Sequence, residues 1–423
     1  MPLTLGAIAD DFTGALDLAN NLAQAGLRVA QLSGVPDQAT LSEEIDAVVI
    51  ALKTRTVPAD QAVVETRATL RWLRDRGVTK YYVKYCSTFD STPAGNIGPV
   101  IDVAMAELDV PVTIAAPAFP AAGRTVYQGY LFVNGVPLDE SSMRNHPLTP
   151  MTDANVVRLL TPQTRHHVAL ISHDDISDGA SSVRTRLDDL HSRGGGIAVV
   201  DTLHDADLAV LAKSVADHVL VTGGSGLAAH LPTAWGLASV RPSDPALLPQ
   251  PRGTRAIVAG SVSNATNEQV RRYTGPKFQL NPHRLLHGEN LTEEVLDWAK
   301  PLLADGATPL VYSTASPESV ADAQRQQGGT VVGALVESAL AAISRRLVEA
   351  GVRQLIVAGG ETSGACVQAL ELHTLHIGPQ IDPGVPWAYG DSFSGGMHIA
   401  LKSGNFGRPD FFTTAFKVID GTR

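Results

Sequence analysis

The chain has 423 residues, 44% of them hydrophobic and 18% charged, with 43 acidic against 33 basic side chains and a formal net charge of −10. That length predicts two or three domains with sizeable cores, while the acidic balance, with no basic stripe, excludes a duplex nucleic acid partner. No run approaches the roughly 20 apolar residues that cross a bilayer, which excludes a membrane-spanning helix.

The start of the chain, "MPLTLGAIADD", lacks a basic n-region and meets acids within its first turns, so no signal peptide is expected. Cys86 and Cys366 are too few for a disulfide framework or a structural zinc site. A soluble cytoplasmic protein is the expectation.

In chain order, "TLGAIA" leads to "DDFTGALDLANNLAQAG", "DAVVIA" to "LKTRTVPADQAVVETRATLRWLRDRG", and "KYYVKY" to "CSTFDSTPAGNIGPVIDVAMAEL". Each reads as a short apolar strand, a polar turn and an amphipathic helix. The stretch "FPAAGRTVYQGYLFVNGVPLDESSMRNHPLTP" breaks the pattern and predicts an antiparallel hairpin with a long loop. "HHVALIS", "IAVVDT" and "DHVLVTGG" then resume it. Near-continuous apolar strands alternating with helices predict parallel strands buried on both faces, an α/β fold with right-handed crossovers.

Residues 241–255, "RPSDPALLPQPRGTR", hold four prolines and little periodicity, which marks a domain boundary. Beyond it the α/β pattern returns in "RAIVAGSVSNATNEQVRRY", "PLVYSTAS", "VESALAAISRRLVEAG" and "RQLIVAGGETSGACVQALEL". Two α/β domains with mostly parallel sheets are expected, residues 1–245 and 246–423, with an active-site cleft between them.

Ligands in open α/β sheets bind outside the carboxyl ends of the strands, and the unusual residues collect there. Asp10 and Asp11 fall where the first strand ends. One of them suffices to cap a helix. Two adjacent carboxylates repel, which predicts that one pKa rises and that the pair orients a substrate and accepts a hydroxyl proton. Lys53 and Arg55 follow the second apolar run, and Lys84, Ser87, Asp90 and Ser91 follow the third, so this rim could grip a small acid. An internal salt-bridge network among these groups is the competing reading. Arg124 and Arg144 would extend the rim. Cys86 has no base at a recognisable spacing and reads as a small buried residue, and the histidines of 166–167 and 172–175 read as solvated loops.

The second half carries glycine turns instead. Gly260, Ser261, Ser263 and Asn264 form one, Gly359, Gly360, Glu361, Thr362, Ser363 and Gly364 another, and Lys402, Ser403, Gly404, Asn405 and Gly407 a third. Backbone N–H groups in such turns approach anions closely, and the following helix N-terminus favours negative charge. Three in one domain predict a phosphate-rich ligand. No P-loop string is present. "VTGGSGLAA" meets a looser dinucleotide form through Gly224, Gly226 and Ala229, without the helix, strand and terminal acid that should follow.

Taken together, "IADDFTGALDLAN", "KYCSTFDSTPAGNIGPV", "APAFPAAGRTVYQGYLFV", "HPLTPMTDAN", "VTGGSGLA", "VAGGETSGA" and "LKSGNFG" resemble, in order, the four-carbon acid sugar kinase family. The resemblance implies an N-terminal domain for the acid sugar and a C-terminal one for ATP. ATP contacts would come from Ser261, Gly359, Gly360, Glu361, Thr362 and Gly404. The substrate side would draw on Asp10, Asp11, Arg55, Lys84 and Asp90, with Ser87 on the same rim. The implied reaction moves the γ-phosphoryl of ATP, with Mg²⁺, to the C4 hydroxyl of a 3-dehydro-tetronate. In it Asp11 or Asp10 takes the proton, and Arg55 and Lys84 hold the carboxylate. Metal ligands from the protein and homo-oligomeric assembly stay open. Two rival readings are a nicotinamide-dependent oxidoreductase using residues 224–229 and a non-catalytic acid-sugar-binding protein.

Overall fold

A computed structural model of the chain describes residues 3–36, 45–145, 149–237, 248–313 and 329–421. It divides into two compact units, Met1–Asp244 and Pro245–Arg423. Residues 241–247 of the proline-rich stretch, 146–148 of the "HPLTPMTDAN" string and 314–316 of "PLVYSTAS" lie outside the described residues.

The first unit begins with strands β1 (Leu5–Ala9), β2 (Val29–Ser33), β3 (Ala47–Ala51), β4 (Lys80–Lys84) and β5 (Val112–Ala116). Then β6 (Arg124–Tyr127), β7 (Tyr130–Val133) and β8 (Val136–Pro137) form a small antiparallel meander, the expected hairpin. Strands β9 (Val168–Ile171), β10 (Gly196–Val200) and β11 (Leu220–Gly223) complete the unit. The order β2-β3-β1-β4-β11-β5-β10-β9 is parallel throughout. Strands such as "AVVIA" are apolar on both faces because helices cover both, and every residue of β1 and β3 is buried. From β1 the chain runs to β2 and β3 on one side and then crosses to β4 on the other. That reversal opens a crevice at the carboxyl ends of β1 and β4.

The second unit holds β12 (Thr254–Ala259), β13 (Lys277–Gln279), β14 (Leu310–Tyr312), β15 (Val352–Ala358), β16 (Thr374–Asp382), β17 (Val385–Ser392) and β18 (Gly395–Lys402), in the order β13-β14-β12-β15-β18-β17-β16. The five strands from β13 to β18 in that order are parallel. β17 and β16 add an antiparallel extension that strand-and-helix alternation did not predict. Its cause is local: two-residue loops at 383–384 and 393–394, with Gly384 at φ 75° and Gly395 at φ 96°, reverse the chain without room for a helix. Trp387 of β17 is fully buried, stacks obliquely on Phe416 at 5.5 Å and donates Nε1–H to the Ala415 carbonyl at 2.9 Å. It thereby anchors the Phe411–Ile419 helix. Its truncation to alanine would cost about 3–5 kcal/mol.

Candidate functional site

The acidic doublet sits at the end of β1, and each member has a different task. Asp11 caps the Phe12–Gln24 helix, accepting from Gly14 N at 2.9 Å and Thr13 Oγ1 at 2.9 Å. Asp10 receives a two-pronged contact from Arg55, Nε to Oδ2 at 2.8 Å and Nη2 to Oδ1 at 3.0 Å. Arg55 Nη2 also lies 3.0 Å from Asp11 Oδ1, and Nη1 lies 3.9 Å from Asp90 Oδ2. Lys84, almost completely buried at the end of β4, brings Nζ to 3.7 Å from Asp11 Oδ1. Gly14 makes that approach feasible, since a Cβ there would stand 2.0 Å from Lys84 Nζ. β3, β1 and β4 are neighbours, so residues 45 and 74 positions from Asp10 meet on one rim.

This network corrects the expected electrostatics of the doublet. Burial alone would raise the Asp11 carboxyl, but Arg55 and Lys84, with the Thr13 and Gly14 hydrogen bonds, hold it below the usual aspartate range. Burial opposes the Lys84 charge in turn, and Asp11 and Asp10 lift its ammonium above the ordinary lysine value. The arginine and lysine are thus engaged by the chain's own acids. A cavity of only about 20 Å³, lined by Asp10, Thr54, Arg55, Lys84, Asp90 and Ser91, lies beneath them. An acid ligand gripped by Arg55 must exchange places with a carboxylate.

The surroundings keep these groups in place. Asn96 Nδ2 donates to the Thr54 and Val57 carbonyls at 2.6 and 2.7 Å, tying down the loop that carries Arg55. Thr88 Oγ1 donates to Asp90 Oδ1 at 2.5 Å. Ser87 lies against the Gly224 turn, whereas Ser91 donates to Gln163 Oε1 at 2.9 Å and is structural. Lys53 is exposed. Cys86 is half-buried rather than the buried residue expected, and burial pushes its thiol up to about 12, with Asp90 adding to the rise, which disfavours the thiolate. Arg144 is exposed, but Arg124 reaches the field of Asp17.

Asp17 was not singled out from the sequence. It lies inside the helix capped by Asp11, 6% exposed, with Oδ1 unpartnered. Burial pushes its carboxyl up to about 6 despite Lys84 nearby. The signal was a carboxylate among apolar neighbours on an otherwise buried helix, "FTGALDLANNLAQ".

In the second unit the three glycine turns close on one another at the ends of β12, β15 and β18. Gly359 caps the Gly360–Ala369 helix with φ 126° and ψ 133°, a conformation only glycine adopts freely. Ser261 N lies 3.2 Å from where a Cβ on Gly359 would be, and Ser261 Oγ 2.3 Å from the same point on Gly404. Ser263 Oγ and Thr266 Oγ1 both donate to the Gly404 carbonyl, at 2.5 and 2.8 Å. Glu361 is half-buried and Thr362 buried in the first turn of the helix. Converging turns without side chains to fill them, at a helix N-terminus, fit a polyphosphate. Lys402 is not aimed at such a ligand. It is fully buried, and its Nζ contacts Thr266 Oγ1 and the Ser403, Gly404 and Phe406 carbonyls at 2.9–3.0 Å. Burial pushes its ammonium down to about 7.

Two other expectations are resolved by the geometry. After β11, residues 225–228 form only a four-residue helix, and Cβ atoms on Gly224 and Gly226 would stand 2.6 and 3.0 Å from the Pro117 and Ala118 carbonyls. Those glycines serve close packing. The histidines require a correction: His173 is half-buried rather than in a solvated loop, and with His204 and Asp207 it offers ligand atoms within 4.8 Å. Asp207 Oδ2 already accepts from Leu203 N at 2.8 Å and His204 N at 2.9 Å, with His173 Nε2 3.4 Å away. The cluster is built as a helix cap.

Residues 5–231 match a family described as a sugar-binding N-terminal domain, and residues 256–412 one described as a nucleotide-binding C-terminal domain. The chain is 49% identical over 424 residues to a 3-oxo-tetronate kinase of Pseudomonas fluorescens, covering 99% of this chain and 97% of that one. It is 48% identical over 422 residues to a 3-oxo-tetronate kinase of Pseudomonas savastanoi, with the same coverage. A solved Haemophilus influenzae protein superposes with a TM-score of 0.76 at 42% identity, covering 98% of this chain and all of that one. With both domain families matched in order and near-half identity along the full length, the chain belongs to the four-carbon acid sugar kinase family.

Proposed function

We propose that the protein transfers the γ-phosphoryl group of ATP to the C4 hydroxyl of a 3-dehydro-tetronate, releasing ADP and the 4-phosphate. The observation that carries this reading is the pairing of two chemistries in one chain. An acid-and-cation rim lies at the ends of β1, β3 and β4, and converging glycine turns lie at the ends of β12, β15 and β18. The names of the relatives support the substrate.

Phosphoryl transfer asks for in-line placement and charge neutralisation more than for covalent help. Backbone N–H groups at Gly360 and Gly404, with Ser261, would hold the phosphates, while the Gly359 N–H, given to the Lys402 carbonyl at 2.8 Å, would set the turn that presents them. Mg²⁺ carried in with ATP supplies further neutralisation of the transferring group. Arg55 exchanges one of its aspartates for the substrate carboxylate, and Lys84 remains with Asp11. Asp11, or Asp10, accepts the hydroxyl proton. A carboxylate of low pKa suits this, because in a loose transition state the acceptor hydroxyl loses its proton late. In-line transfer in this reading needs the acceptor hydroxyl and the γ-phosphoryl held together with water excluded.

A coupled assay of ADP release across a panel of four-carbon acids tests the proposal. ADP formed with a 3-dehydro-tetronate and Mg²⁺, and not without the acid, is the expected result. Binding of the acid with no ADP would favour a binding protein. Quenching or enhancement of NADH fluorescence with turnover of a hydroxy acid would favour the oxidoreductase.

A further inference from the structure

Of the lysines and arginines among the described residues, Lys84 and Lys402 are the buried ones. Lys84 has a counter-charge, Asp11 Oδ1 at 3.7 Å. Lys402, at the end of β18, has no carboxylate within ion-pair distance among the described residues. Its Nζ meets uncharged oxygens instead, Thr266 Oγ1 at 3.0 Å and the Ser403, Gly404 and Phe406 carbonyls at 2.9, 3.0 and 3.0 Å. A buried ion without a partner ion is destabilising, and a methionine would fill the same space without the charge.

The place of this charge is specific. Gly359 N donates to the Lys402 carbonyl at 2.8 Å, which fastens the turn before the Gly360–Ala369 helix to this residue. Thr266 belongs to the Asn264–Arg272 helix that follows the Ser261 turn, and Gly404 lies in the third turn. Backbone and side chain of Lys402 thus touch all three glycine turns or the helices they open. The Gly404 carbonyl accepts from Lys402 Nζ, from Ser263 Oγ at 2.5 Å and from Thr266 Oγ1 at 2.8 Å, and three donors on one oxygen fix the plane of the 404–405 peptide. Other charges on the surrounding elements are engaged elsewhere or do not act on the ammonium. Glu268 pairs with Arg271 and Arg272 on the outer face of their helix, and Asp382 pairs with Arg408. Glu361 of the Gly360–Ala369 helix and Lys417 of the Phe411–Ile419 helix leave it unshifted, so burial alone acts on it.

We infer that Lys402 is a positioning residue for the nucleotide: behind the glycine turns and out of contact with the ligand, it supplies a buried positive charge that the polyphosphate balances, and it takes up a proton from solvent as the nucleotide binds. The inference rests on the nucleotide half of the proposed function and deepens it. Burial leaves the ammonium at about 7 in the free protein, and an anion held at the turns favours its charged form. Nucleotide affinity therefore falls as pH rises above that value.

The test is calorimetry of ADP with Mg²⁺, and of adenosine, on the full chain. At pH 8 the difference in binding heat between HEPES and Tris buffers counts protons. A tenfold tighter hold on the Lys402 proton in the complex gives roughly 0.4 proton taken up per ADP, and a fall in ADP affinity of roughly 5-fold from pH 7 to pH 9. Lys402→Met, close in length and uncharged, should take up no proton, lose that pH slope and bind ADP roughly 5-fold or more weakly at pH 7. Adenosine, which carries no phosphate, should bind variant and wild type within about a factor of two. Equal losses for adenosine and ADP would mark a merely structural lysine and overturn the inference. Wild-type protein that binds ADP without taking up a proton would overturn it too, even if Lys402→Met does not fold. A wild type that binds no ADP sinks the nucleotide reading as well, whereas ADP bound equally by wild type and variant sinks this inference alone.

Discussion

At the ends of β1, β3 and β4 negative charge is handled by side chains, whereas at the ends of β12, β15 and β18 it is left to the backbone. On the first rim Asp10, Asp11 and Asp90 face Arg55 and Lys84, so the unit arrives with its charges already satisfied and a ligand must compete for them. In the second unit the N–H groups of Gly260, Ser263 and Gly359 are already given to Ala358 O, Ser261 Oγ and Lys402 O, which leaves an anion to the first turn of the Gly360–Ala369 helix, and the buried Lys402 is committed to carbonyl oxygens that shape the turn. A self-paired rim can discriminate among ligands, because an ill-fitting acid does not repay the ion pairs it breaks. A backbone cradle is preorganised and tolerates little change in shape.

That contrast can be broken at several points. The largest effect is expected from Asp11→Asn, which keeps the cap geometry and removes the charge. It should lower kcat by about 10²–10⁴-fold in the ADP-release assay, and a kcat within a factor of three of wild type would leave Asp11 a helix cap and nothing more. Next is Gly359→Ala, which forces a side chain into φ 126°. A strain of about 1–3 kcal/mol should raise the KM for ATP by roughly 10–100-fold and leave the KM for the acid sugar unchanged, as initial-rate kinetics would reveal.

Arg55→Ala should do the reverse, raising the KM for the acid about tenfold with the ATP term unmoved. An unchanged KM would remove Arg55 from the substrate site. The smallest effect concerns stability. Because the Asp17 carboxyl is raised to about 6 in the folded state, the folded chain holds a proton that the unfolded chain loses between about pH 4 and 6. Stability therefore falls as pH rises through that window. Asp17→Asn should flatten that slope and raise the melting temperature at pH 7.5 by several degrees, worth roughly 2–3 kcal/mol. A lower melting temperature would mean that the charged form is stabilised by contacts the burial argument misses.

How much of this was legible in advance varies with the range of the interaction. Strand-turn-helix units such as 5–24 are written in local periodicity and turn residues, and they formed as read. Asp11 as a cap belongs to the same class. The meander of β16 to β18 was written in its Pro-Gly and Ser-Gly turns, which the strand-and-helix alternation passes over. The depressed Asp11 pKa could not be read, since its cause is Arg55 and Lys84, 44 and 73 residues away in the chain. Asn96, which holds the Arg55 loop, and Lys402, spent on carbonyls, were visible only as a polar residue before a helix and a lysine in a glycine turn.

The sequence alone determined that the chain makes two α/β units, that acids and cations cluster at strand ends in one and glycine turns in the other, and which family these strings resemble. Those features depend on hydrophobic periodicity and on backbone preferences within a few residues. Only the tertiary structure decided which charges neutralise each other, which lysine is buried among carbonyls, and which aspartate is buried inside a helix. Electrostatic partners are set by strand order and side-chain burial, and neither is a property of any short stretch of chain.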